Sequence, residues 1–240
     1  MKSYAIVGCG GIGFALAPIL ARLLMATDST LYLVDGKAVK QSNVTRQFGA
    51  SAVGKNKAEV LERIVTDIQP ESTRLRVAAV PCYLENDTKD MHGWLNDPDL
   101  TVFLCVDTAA SRIAIEDIIS TRKDYTLVSG GNAEFDGQAI FSQKVKNKVK
   151  FRLPSEIDPD LRTRSDGRTP SMIPCDEAQV SEPQLVLANV QAALCMLSLW
   201  YNHTIGTDKK AKKINFAAFD VRRPEVFPSW RGFPGEKNEQ

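Results

Sequence analysis

The densest phosphate-binding chemistry in the chain lies between residues 43 and 57, where Asn43, Arg46, Gln47, Lys55 and Lys57 fall in one loop-and-turn segment around Gly49 and Gly54. Arginine offers a planar fork of donors and lysine a point charge, and with two amides beside them the set suits a triphosphate. Upstream, Gly8, Gly10, Gly11 and Gly13 make a tight turn after the apolar run that starts at Tyr4. A turn without Cβ atoms lets backbone N–H groups face a phosphate or ribose at the positive end of the helix that follows. Asp35 closes a second apolar run, Leu31 to Val34, at the spacing where a carboxylate reaches ribose hydroxyls. Glycines and an acid alone would serve a nicotinamide enzyme equally well; the polar run after Asp35 would not. Asp107 closes a third apolar run, Thr101 to Val106. A carboxylate at that end of a parallel strand faces the ligand crevice and could hold Mg²⁺ against phosphates, or it could cap the next helix.

These residues need elements to hold them. Strand-like and helix-like runs alternate, which predicts parallel β-α-β units. An apolar helix is expected over Ile12–Ala26, and one over Asn56–Asp67 with Val60, Leu61, Ile64, Val65 and Ile68 on one face. Strands are expected at Leu75–Val80, Thr101–Val106 and Tyr125–Ser129, a polar helix or loop at Asp87–Asn96, and a helix at Ser111–Ser120. Gly130, Gly131 and Gly137-Gln138 mark a turn between strands. Val145–Leu153 alternates apolar residues with Lys and Arg, as a half-solvated edge strand does. From Pro154 to Pro174 the composition shifts to Pro, Ser, Asp and Arg, a long loop that delivers Cys175. Ser181-Glu-Pro-Gln184 reads as a capping-box start for an apolar helix over Glu182–Asn202. A final strand, Ile214–Val221, precedes a tail too rich in Pro and Gly for another helix, which is expected to be disordered or to lie on a partner. The expected fold class is α/β, a Rossmann-like doubly wound sheet, mainly parallel with an antiparallel C-terminal portion. Residues 1–240 form one expected domain: a nucleotide-binding half (1–150), a crossover loop (151–180), a C-terminal helix and strand (181–222) and a tail (223–240).

Composition narrows the function. Thirty Lys and Arg against 29 Asp and Glu give a net charge of +1, so nothing points to a bulk electrostatic role on nucleic acid or membrane. Five scattered cysteines with no C-x-x-C pair suit a reducing cytoplasm and argue against a four-thiolate zinc site. The stretch from Ile12 to Ala26 contains Pro18 and Arg22 and is too short to span a bilayer. His92 reads as a surface histidine, and no His or Tyr–Lys pair marks a hydride-transfer site.

From Asp35 to Gln47 the sequence reads D-x-x-x-V-x-x-S-N-V-x-R-Q, and from Gly54 to Ala58 it reads G-K-x-K-A. In order after the glycine turn, these closely resemble the ThiF/MoeB/HesA and ubiquitin-activating enzyme superfamily, most of all the short ThiF-like proteins of bacterial mobile elements. The resemblance implies ATP-dependent adenylation of the C-terminal carboxylate of a ubiquitin-like or sulfur-carrier protein. ATP would lie on Gly8, Gly10, Gly11 and Gly13 with its ribose on Asp35. Asn43, Arg46, Gln47 and Lys57, with Lys55 nearby, would hold the phosphates, and Asp107 would hold Mg²⁺. Asp107 and Arg112 match the superfamily's D-x-x-x-x-R, and Gly130 onward matches a hairpin beside the substrate's tail. Cys175, in C-D-E-A before the last helix, matches a cysteine that takes the activated partner as a thioester. Asp176 and Glu177 disfavour a thiolate there, leaving Arg162, Arg164 and Arg168 to compensate; an ordinary loop cysteine is the alternative. The resemblance also implies a homodimer, a conjugating enzyme as a further partner and a cytoplasmic location. The chain departs from its relatives in three ways. No helix precedes the first strand to lend an arginine to a neighbouring subunit, Lys37 stands where many relatives repeat an acid, and the paired zinc cysteines are absent. The competing reading is a scaffold of the same fold that binds a ubiquitin-like protein or conjugating enzyme without adenylating it.

Overall fold

The computed structural model describes residues 1–44, 47–84, 93–163, 185–223 and 225–229. Among these, nine strands form one mixed sheet. They are β1 (Lys2–Val7), β2 (Ser29–Val34), β3 (Leu75–Val80), β4 (Thr101–Leu104), β5 (Tyr125–Asn132), β6 (Asp136–Val145), β7 (Lys148–Phe151), β8 (Phe216–Asp220) and β9 (Glu225–Ser229). The order is β3-β2-β1-β4-β5-β6-β8-β9, with β7 pairing only β6. β1 to β5 run parallel and the later pairs antiparallel, so the expected α/β doubly wound sheet with an antiparallel C-terminal portion is what forms.

Alternation along the strands builds two cores. Tyr4 and Ile6 of β1 join one cluster, while Ala5 and Val7 join the other, because successive strand side chains point to opposite faces. The first face is covered by α1 (Gly11–Leu24), α2 (Lys57–Asp67) and α6 (Val186–Thr204), the second by α3 (Ala109–Ser120). α1 buries Ile12, Leu16, Leu20 and Leu24, a fourfold spacing that stays on one side of the helix. α6 lies beside it and sends Trp200, 1% exposed, edge-on against Tyr4 and Phe103. Short α4 (Pro154–Ile157) and α5 (Asp160–Thr163) follow β7. No helix among the described residues is long and apolar enough to cross a membrane.

Several local expectations are corrected. Gly130, Gly131 and Gly137 do not turn the chain: they pair within β5 and β6, opposite Ala139, Gln138 and Asn132, and Ala133–Phe135 make the turn. Close packing explains these glycines, since a Cβ on Gly130 would strike the Met196 side chain and one on Gly137 the Phe219 ring. The single strand expected over Val145–Leu153 is broken by Lys146 and Asn147, both at positive φ (49° and 61°), the geometry of a tight hairpin turn that matches strand twist. The start of the long loop is the two short helices α4 and α5 rather than irregular chain. α6 begins at Val186 rather than 182: Leu185 is extended, and its N–H donates to the Glu134 carbonyl of the β5–β6 turn, 3.4 Å away. At the C-terminus Glu225–Ser229 adds a strand to the edge of β8. The expectations for His92, the whole 164–184 stretch, including the capping box at 181–184, and Trp230 lie outside the described residues.

Candidate nucleotide site

Between β1 and β4 the direction of winding reverses, and the crevice beyond the carboxyl ends of such strands is where α/β sheets bind ligands. The glycine turn occupies it. Gly8 has φ of +96°, and a Cβ there would stand 2.7 Å from the Cys105 carbonyl oxygen, so only glycine lets the turn press against the end of β4. Gly10 is the N-cap of α1, without a side-chain cap, which leaves first-turn N–H groups facing the crevice. Gly13 packs on the Gly8 carbonyl, where any Cβ would collide. Gly8, Gly10 and Gly11 line a cavity of about 230 Å³ together with Asp35, Lys37, Asn43, Gln47, Lys57 and Asp107; Gly13 sits behind them.

Asp35 is fixed by backbone donors. Its two carboxylate oxygens accept the N–H of Cys9 at 2.8 Å and of Lys37 at 2.7 Å. Burial pushes its carboxyl above the usual range, while Lys57 and those two N–H groups work against the shift. The segment after Asp35 is zipped to the start of α2: Val39 N–H donates to Lys55 O, Lys57 N–H to Lys37 O, and Ala38 bridges Asn56. Asn56 caps α2 by accepting from the N–H groups of Ala58 and Glu59, and its amide donates to Asp35 O. This clamp sets Lys57 at the first position of α2, 9% exposed and inside the cavity. Burial lowers its ammonium pKa; Asp35 and Asp107 oppose that and Lys37 adds to it.

Asn43 spends its side-chain oxygen on Lys40 N–H, and Gln47 N–H donates to Asn43 O. The Gln47 side-chain oxygen is buried and finds no partner among the described residues. Phe48 anchors this loop edge-on against Phe14 of α1, ring centres 4.9 Å apart. Lys55 is exposed and does not line the cavity. Arg46 and Cys175 lie outside the described residues, as do Arg164 and Arg168. Arg162 is committed to Asp117 at 2.9 Å.

Asp107 does not cap α3; Thr108 does, accepting from Ser111 N–H. The Asp107 carboxylate instead meets Lys37 Nζ, 3.2 Å from one oxygen and 3.5 Å from the other. Desolvation by the cavity wall would raise its carboxyl, but the Lys37 charge and hydrogen bond, with Lys57 behind them, hold it below the usual value. Arg112 is a structural link: its guanidinium donates to Val106 O at 2.7 Å, Gly130 O at 3.0 Å and the Ser129 hydroxyl, tying the end of β4 to β5. It forms part of the wall between the first cavity and a second, about 640 Å³, which runs past Gly131, Asn132 and Gln138 to Ala218.

Cys9, Cys105 and Cys195 are buried free thiols. Burial raises the thiol pKa of Cys9, Cys82 and Cys195, and pushes Cys105 up to about 12, so none is poised as a nucleophile.

The sequence model of the ThiF family matches residues 1–233. The chain belongs to the ThiF family. No curated protein matches it in sequence. Among solved structures it resembles E. coli MccB with AMPCPP and MccA, at 18% identity and a TM-score of 0.68 over 98% of this chain and 65% of that one. PaaA is similar at 16% identity and 0.67, again over 98% and 65%, and E. coli MccB with ATP at 19% and 0.64, over 98% and 64%. This ThiF chain thus spans about 65% of the length of those proteins.

Several residues of the ThiF chain's cavity escape a sequence reading. Cys82, Tyr83 and Leu84, after β3, line it, and the Tyr83 ring lies where a Cβ on Gly36 would be. Asn189, 3% exposed on α6, packs against Gly11, and its side-chain oxygen is without a partner among the described residues. An amide in the apolar first turns of this helix, beside Gln191, gives it no distinct signal in the sequence.

Proposed function

We propose that the chain is an ATP-dependent adenylyltransferase acting on the C-terminal carboxylate of a peptide or protein. The observation that supports this best is the convergence of the glycine turn, Asp35 and Lys57 in one cavity at the sheet's switch point, with a second cavity adjoining it along β6. The ribose hydroxyls would donate to the Asp35 oxygens, whose orientation two backbone N–H groups already fix. The phosphates would lie on the N-terminal end of α1 with Lys57, Gln47, Asn43 and Arg46 around them. The substrate's last residues would lie in the second cavity and enter the first past Gly131.

A carboxylate needs no general base. Its oxygen attacks the α-phosphorus, a new oxygen–phosphorus bond forms, and the bond to the bridging oxygen breaks as pyrophosphate leaves. The protein's part is alignment and stabilisation of charge on the departing phosphates, which N–H groups and a buried ammonium provide without reorganising. The fold family implies Mg²⁺, but the donor set does not make a resident site for it. Asp35 is held by backbone donors, Asp107 faces two ammonium groups, those of Lys37 and Lys57, and no group of three His, Cys, Asp or Glu side chains gathers among the described residues. Magnesium would enter only as part of the nucleotide substrate.

The finer reading names a ubiquitin-like or sulfur-carrier protein as substrate, thioester transfer to Cys175, a homodimer and a cytoplasmic setting. The structural neighbours support a peptide or protein substrate: E. coli MccB has been solved with MccA. ATP–pyrophosphate exchange with a Gly-ending small protein encoded nearby tests the reaction, and intact mass tests the second step. Exchange with AMP release supports adenylation. An added mass lost in Cys175→Ala, with AMP still released, supports the thioester. No exchange with a partner that binds tightly leaves the scaffold reading.

A further inference from the structure

The backbone of Lys37 is held on both sides of its Cα. Its N–H donates to Asp35, and its carbonyl accepts from Lys57 N–H at 3.0 Å. Its side chain lies at the mouth of the nucleotide cavity, where the ammonium meets both oxygens of Asp107, a residue 70 positions away. The pair stays wet, with the side chains 36% and 62% exposed, so the contact is weak and easily exchanged. Among the described lining residues three cations, Lys37, Lys57 and Arg112, stand against two carboxylates, Asp35 and Asp107. Arg112 is anchored by three acceptors, in β5 and just past β4, so the two lysines carry the charge freest to follow a ligand.

We propose that Lys37 is the built-in counter-ion of this site: its ammonium leaves Asp107 for the phosphate oxygens when ATP binds, and it takes the place of a divalent ion bridged to the protein. The inference rests on the ATP reading above. A divalent cation at Asp107 would have to displace one ammonium and sit beside another, whereas a polyphosphate satisfies both. Binding should then be nearly independent of metal, although magnesium on the phosphates can still assist the chemistry in solution-like fashion.

Calorimetric titration of ATP in excess chelator and in excess Mg²⁺ tests this. The wild-type chain is expected to bind metal-free ATP within about threefold of the metal complex, while Lys37→Met loses about tenfold or more of metal-free affinity, the scale of one charge-assisted contact. Lys37→Arg is expected to retain metal-free binding, which separates lost charge from lost folding. Lys37→Asp is expected to bind ATP only with metal and to gain protein-bound Mn²⁺ by electron paramagnetic resonance. A wild type that requires metal, or a Lys37→Met variant weakened equally with and without it, overturns the inference and leaves the ATP site standing. No ATP binding under either condition overturns both.

Discussion

Replacing Lys57 with Met is expected to weaken ATP binding while leaving the fold as stable as before, or more so. Lys57 is 9% exposed and its pKa is lowered by burial, so the folded protein holds its charge less comfortably than water does. The sign follows from linkage: the unfolded chain binds that proton more tightly. The charge therefore costs stability at neutral pH and is relieved only as pH rises toward the ordinary value of 10.5. Methionine keeps the length of the stem and removes the charge, though Asp35 then loses its neighbouring cation. Against this, an ammonium on a phosphate oxygen contributes about 1.5–3 kcal/mol, roughly 10- to 150-fold in Kd. Calorimetry should show that loss, and a thermal melt without nucleotide should show an unchanged or raised midpoint. A Met variant that melts several degrees lower yet binds ATP as tightly as wild type would refute the reasoning, because Lys57 would then be serving packing alone.

Gly8→Ala is expected to cost about 1–3 kcal/mol or more, since φ of +96° and a carbonyl 2.7 Å from the new Cβ both oppose it. Gly49→Ala, at φ of −70° with nothing within 4 Å of the new Cβ, is expected to stay within about 0.5 kcal/mol of wild type in denaturant melts. Equal effects would remove the case for a strained turn. His203 stacks on Phe141 with ring centres 3.9 Å apart and bonds Ile214 O at 2.8 Å. Burial lowers its pKa below 6.5, so the unfolded chain binds the extra proton first and this contribution to stability falls as pH drops through about 6.5. His203→Phe should lose less stability than wild type between pH 7.5 and pH 5.5; parallel losses would show that other groups set the slope.

Some of this protein is decided within a few residues of chain. A glycine turn after an apolar run, an acid at the end of the next run and alternation that fits two buried faces all depend on local sterics and hydrophobic period, so they can be read from composition and spacing. Other features depend on which strands become neighbours. Gly130 and Gly137 look like turn residues until α6 and β8 are packed against them, and their real role is to let a methionine and a phenylalanine ring come close. Tyr83 and Asn189 enter the cavity from the segment after β3 and from α6, far apart in sequence. The Lys37–Asp107 pair exists only because β2 and β4 flank β1, which brings the two strand ends to one mouth. The sequence by itself determined the turn, the acid and the alternating apolar runs, because short-range sterics and burial act on adjacent residues. Tertiary structure alone decided which charges face each other, because Coulomb contacts depend on the order in which the sheet brings distant strand ends together.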